Sequence, residues 1–175
     1  NLQCNMCNVW YLPNGNYTEE NFWEGAREHI FPFIEEIVTL GGEPFMQKDT
    51  FKLIDEIVAV NPECKFHFTT NANWRFSGKI KNALEKIPHL QSVNISFDSL
   101  DYQRFAKIRV KSDLGLVLKT TNELLEYRKE RKRQGISWFT IEIQSAIQQE
   151  NYDEIVPLVN FARQRNMSIN FMMVY

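Results

Sequence analysis

Ser92-Val93-Asn94-Ile95-Ser96-Phe97-Asp98 is the stretch on which the fold turns. Side chains alternate between the two faces of a strand. Val93, Ile95 and Phe97 therefore share one face, and Asn94, Ser96 and then Asp98 share the other. The split recurs on either side. In residues 65–70, Phe66 and Phe68 oppose His67 and Thr69, with Asn71 following on the polar side. In residues 138–145, Phe139, Ile141 and Ile143 oppose Thr140, Glu142 and Gln144. A parallel sheet covered by helices on both faces reads as nearly continuous apolar strands. A closed eight-stranded barrel fills its interior with branched apolar side chains. Neither describes Asn94, Ser96, Glu142 and Gln144. The pattern predicts a curved sheet with helices on its outer face and a wet, ligand-sized cavity on its inner one. The bland alternative is a half-exposed sheet with no ligand.

Working outward, short β-rich segments at 36–40, 65–70, 92–97, 138–145 and 168–174 predict five strands. Helical periodicity fills the gaps at 19–34, 49–60, 78–87, 113–133 and 152–165, with Thr18 and Asp113 as candidate N-caps. Strand-helix alternation implies right-handed βαβ units and a parallel sheet. The 175 residues make one domain, with no linker or low-complexity tract. The chain stops at a last strand with no helix to cover it, so both ends are expected to be cuts. At 43% hydrophobic residues the composition is globular, and no apolar run approaches a bilayer span. Without a signal-peptide pattern the expected location is cytoplasmic. Twenty basic against 22 acidic residues, net −2, argue against a nucleic-acid partner. The basic run Arg128–Arg133 reads as a solvated helix end, where cations favour the dipole.

The three cysteines do not suggest a secreted disulfide framework. Cys64 reads as a buried structural thiol. Cys4-Asn5-Met6-Cys7 is the metal candidate, because thiolates suit iron–sulfur clusters or zinc. A thioredoxin-like motif would open a helix, whereas Asn8–Gly15 reads as loop. A zinc site would need two more ligands, and His29, His67 and His89 are not spaced to supply them. Gly41-Gly42-Glu43-Pro44 closes the first predicted strand. Two glycines there allow positive φ and close approach of backbone to a ligand, and Glu43 offers an acceptor to a cationic group. Ligands of open α/β sheets sit at the carboxyl ends of the strands, where this turn falls.

Cys4-x-x-Cys7, Leu40-Gly41-Gly42-Glu43-Pro44, Thr70-Asn71-Ala72 and Ser96-Phe97-Asp98-Ser99, in that order, resemble the landmarks of the radical S-adenosylmethionine (SAM) superfamily. That family carries C-x-x-x-C-x-x-C after its first barrel strand. Cys4 and Cys7 match the last two cysteines, and the first would fall one position before Asn1. The resemblance implies a partial (β/α)6 TIM-like barrel of parallel strands with outer helices. Its first strand would be missing, so residues 1–175 would be the core domain holding strands two to six.

It also implies a [4Fe-4S] cluster held in part by Cys4 and Cys7, and reductive cleavage of SAM to a 5′-deoxyadenosyl radical that abstracts hydrogen. Gly41, Gly42 and Glu43 would meet the SAM ammonium. Ser96 would reach its ribose or carboxylate, and Arg109 would pair with the carboxylate. Asn71, Asp98 and Gln144 are further inward candidates. Met6 and the segment Met172-Met173-Val174-Tyr175 would lie on the adenine side, although a methionine pair is more commonly core filler. Trp10 and Tyr11 would shield the cluster. No catalytic side chain is assigned beyond the cluster. A reductant such as flavodoxin or ferredoxin is implied, with no membrane. The substrate leans to a peptide or protein by analogy alone, and Glu142 is an inward carboxylate that could touch it. Lacking the first cysteine, the chain as it stands is expected to be inactive. The competing readings are a non-catalytic barrel module holding a small polar ligand, and a zinc-binding protein.

Overall fold

A computed structural model describes residues 2–12, 15 and 18–174. Five strands form one parallel sheet in the order of the sequence: β1 (Glu36–Thr39), β2 (Lys65–Thr70), β3 (Leu90–Ser96), β4 (Thr140–Ile147) and β5 (Ser168–Met173). Six α-helices accompany them among the described residues: α1 (Glu20–His29), α2 (Lys48–Val60), α3 (Gly78–Glu85), α4 (Tyr102–Ile108), α5 (Leu114–Arg133) and α6 (Ile155–Gln164). Every crossover advances the sheet in the same direction, with no reversal of strand order. Right-handed crossovers that always advance one way lay all their helices on one face. This is the α/β arrangement of an open, TIM-like partial barrel, unlike a doubly wound sheet, where the order reverses.

Burial follows the alternation. Phe66, Phe68, Val93, Ile95, Phe139, Ile141 and Ile143 are fully buried against the helices. They meet Ile54, Ile57, Leu84, Val117 and Leu124 in one continuous core. On the other face His67, Thr69, Asn94, Ser96, Glu142 and Gln144 are half-buried. Register aligns them in layers: His67 beside Ser92 and Thr140, Thr69 beside Asn94 and Glu142, and Ser96 beside Gln144.

Several expected boundaries move. The helix expected over 19–34 stops at His29, because Pro32 cannot continue it. Its N-cap is Glu19, without a side-chain bond, rather than Thr18. Asp113 caps α5 as expected, accepting from the amides of Gly115 and Leu116. β3 begins two residues early at Leu90, and β4 begins at Thr140, leaving Trp138 exposed beneath the Arg128 guanidinium.

The basic run is only partly solvated. Lys129, Lys132 and Arg133 are exposed, but Arg128 and Arg131 are buried. Arg131 donates to the carbonyls of Leu84, Ile87 and Pro88 at the end of α3. Its charge therefore serves the C-terminus of a neighbouring helix as well as its own. Cys64 is buried, as read from the sequence. α4 was not expected, since seven residues are too few for helical periodicity to register.

Candidate functional site

A cavity of about 500 Å³ opens at the carboxyl ends of the strands. Its volume lies within the range of small-molecule sites. Gly41 and Gly42 border it at the end of β1, both in the left-handed region at φ 89° and 58°. A side chain there would be strained, so the chain turns tightly and leaves backbone against the cavity. Thr69, Thr70 and Asn71 border it at the end of β2, and Ser96 at the end of β3. Cys4, Met6, Cys7 and Trp10 close one side.

Both cysteines are free thiols of intermediate exposure. Burial pushes the Cys4 thiol above its ordinary value, and the nearby Arg109 guanidinium pulls it part of the way back. Asn5 N–H donates to Ile108 C=O at 3.0 Å and Gln3 N–H to Val110 C=O at 3.1 Å, so the cysteine loop is laid along the chain leaving α4.

Of the residues expected to contact a cofactor, Gly41, Gly42, Asn71, Ser96 and Arg109 line the cavity; Glu43, Asp98 and Gln144 do not. The Glu43 side chain is turned into the protein. Its carboxylate accepts from Thr70 Oγ1 at 2.7 Å, Asn71 N at 2.8 Å and Phe45 N at 3.3 Å. It ties the β1 turn to the end of β2 instead of reaching into the open space. Burial raises its pKa, and these donors lower it part of the way. Asp98 is fully buried. One oxygen accepts from Ala146 N at 2.7 Å, and the other faces Arg109 Nε at 2.6 Å. The Arg109 N–H is not aligned on that oxygen, so the contact is an ion pair rather than a well-formed hydrogen bond. Gln144 sits beside Ser96 in register, outside the lining.

Met172 borders the cavity, and Met172 and Met173 are 50% and 62% exposed, so this pair is not core filler. Tyr175 lies outside the described residues. Trp10 stacks on Tyr11 with ring centroids 3.6 Å apart. Sequence reasoning missed Lys111, a cavity cation held at φ 70°. It also missed Asn151, fully buried, whose amide donates to Asp98 C=O and Ala146 C=O. A non-glycine residue at positive φ leaves little mark in sequence, and Asn151 reads locally as a turn residue.

The donor set can be tested against candidate metals. Among the described residues no group of three or more His, Cys, Asp or Glu could hold a metal ion. Two thiols at the edge of the cavity fit an iron–sulfur cluster that takes its remaining ligands elsewhere.

The model of the Radical SAM superfamily matches residues 1–162. The chain belongs to the radical SAM superfamily. Radical SAM proteins use a [4Fe-4S] cluster and SAM. This radical SAM chain is 29% identical over 171 residues to the GTP 3′,8-cyclase of Marinobacter nauticus, covering 97% of the chain and 48% of that protein. It is 30% identical over 154 residues to the GTP 3′,8-cyclase of Helicobacter pylori, covering 87% and 44%. The molybdenum cofactor biosynthesis protein moc-5 of Caenorhabditis elegans matches at 26% over 140 residues, 79% of the chain and 21% of that protein. The chain spans about half the length of the bacterial relatives it matches. Among the described residues no helix is long and apolar enough to cross a membrane.

Proposed function

We propose that this protein is a radical SAM enzyme that cleaves SAM reductively at the site described above. The observation that carries the reading is the convergence of Cys4, Cys7, Gly41, Gly42, Asn71 and Ser96 on one cavity, from segments far apart in sequence. The bound cluster would supply the one electron for reductive cleavage of SAM to methionine and a 5′-deoxyadenosyl radical that would take hydrogen from a substrate.

The chain's own residues divide the remaining work. Cys4 and Cys7 supply two thiolates. The backbone at Gly41 and Gly42 accepts from the SAM ammonium. Ser96 and Asn71 hydrogen-bond its polar groups, and Arg109 and Lys111 make that side attractive to its carboxylate. Met6 and Met172 give the adenine an apolar surface, and Trp10 limits water near the thiolates. Glu43 and Asp98 enter as supports of this lining rather than as contacts.

The likeness to proteins named GTP 3′,8-cyclase makes GTP the first substrate to assay, ahead of the peptide or protein expected from the sequence. At mid-depth the inner face offers Thr69, Asn94, Glu142 and Ser168, one carboxylate and no cation. Phosphates would therefore rely on the Arg109–Lys111 rim or on parts of the protein outside this sheet.

Anaerobic reconstitution of the full-length protein should give an absorbing iron–sulfur centre, and dithionite with SAM should yield 5′-deoxyadenosine. Folded protein that fails on both counts would overturn the reading. Adding GTP should consume it and raise 5′-deoxyadenosine; SAM cleavage without GTP consumption would leave the enzyme class standing and remove this substrate.

A further inference from the structure

The chain leaving α4 does two things at once. Its backbone accepts from the amides of Gln3 and Asn5 on either side of Cys4. Between those two bonds it presents Arg109, whose Nη1 lies 3.9 Å from Cys4 Sγ. The guanidinium is held from behind by the Asp98 carboxylate at 2.6 Å, and both side chains are buried. Asp98 is itself fixed. Ala146 N–H donates to its side chain at 2.7 Å, and the Asn151 amide donates to its carbonyl at 2.8 Å. The cation therefore has one well-defined place, beside one of the two thiols.

We infer that Asp98 is a positioning residue that holds Arg109 as a donor to the Cys4 sulfur, and that this pair raises the reduction potential of the cluster that sulfur ligates. The inference rests on the reading of the site as an iron–sulfur centre. Its chemistry is general: a cation or hydrogen-bond donor at a ligating sulfur offsets the negative charge added on reduction, and such partners tune potential. Arg109 carries five N–H donors, so one at Cys4 and one toward Asp98 leave others for the cavity.

The bland alternative is a buried ion pair that only ties the end of β3 to α4. The two are separated by sign. Arg109→Gln removes a cation and should lower the midpoint potential. Asp98→Asn removes an anion, which by charge alone raises the potential. If Asp98 works by holding Arg109 in place, Asp98→Asn should instead lower it, as Arg109→Gln does. The double variant should fall no further than Arg109→Gln.

The experiment is a potentiometric titration of the reconstituted full-length protein without SAM, followed by electron paramagnetic resonance, with iron content and circular dichroism as controls. A rise or no change in Asp98→Asn, or no change in Arg109→Gln, would overturn the inference. Should Asp98→Asn fail to fold, Arg109→Lys decides. It keeps the charge but lacks the fork, so its potential should lie between wild type and Arg109→Gln; a wild-type value would again overturn the assignment. A wild-type protein that assembles no cluster refutes the preceding section and this one together, whereas a cluster with unmoved potentials refutes this one alone.

Discussion

Glu43 shows how a residue can belong to a site without facing the ligand. The residue is 2% exposed, and its carboxylate accepts from Thr70 Oγ1 and from the amides of Asn71 and Phe45. Burial holds its pKa above the ordinary glutamate value of 4.5. The folded chain thus binds this proton more tightly than the unfolded one. The group's contribution to stability is full below 4.5 and is lost as pH rises through the folded value. Glu43→Gln should remove that component. Urea unfolding across pH 4 to 8 should show the stability difference between wild type and variant shrinking as pH rises. Superimposed on it is a pH-independent loss of about 1–2 kcal/mol, because the new amide cannot accept from Asn71 N. A difference that is flat across the window would mean that Glu43 titrates normally in the fold.

At the scale of elements, the chain leaving α4 and the C-terminal half of α5 are the connections that matter. The first seats the cysteine loop, as argued above. The second carries Arg131, 1% exposed, against the carbonyls of Leu84, in the last turn of α3, and of Ile87 and Pro88, in the chain that follows it. Arg131→Met keeps the stem's bulk and removes the donors, and should cost about 3 kcal/mol in chemical denaturation. Arg131→Lys keeps the charge but cannot reach the carbonyls as a planar fork, so it should recover only part of the loss. Full stability in Arg131→Met would show that water satisfies those carbonyls as well.

Across the whole molecule the sheet separates stability from function by face. Phe68 points at the helices and is fully buried, whereas Ser96 points at the cavity and is half-buried. Phe68→Ala should cost about 3–5 kcal/mol through lost burial and a cavity. Ser96→Ala should leave stability within about 0.5 kcal/mol of wild type. In the reconstituted full-length protein, calorimetry should instead show Ser96→Ala with weaker SAM binding. Equal losses of stability in the two variants would contradict this division of labour between the faces.

The sequence by itself determined the class of sheet and the direction of its polar face. The period of two is written residue by residue in Ser92–Asp98 and its neighbours, and strand alternation is a local property. It also determined the pair of thiols and the glycine turn, because C-x-x-C and Gly41-Gly42-Glu43-Pro44 carry their chemistry in adjacent positions. Which polar residues face the cavity was decided only by the tertiary structure. Glu43 and Asp98 share the motifs of Gly42 and Ser96, but one bonds the end of β2 and the other bonds Ala146 and faces Arg109. Such partners lie 27 to 48 residues away or just beyond an unexpected short helix, and no local pattern specifies them. Arg131 makes the same point: its run reads as a solvated helix end until the fold brings the carbonyls of Leu84, Ile87 and Pro88 against it, since only a partner offsets the cost of burying charge.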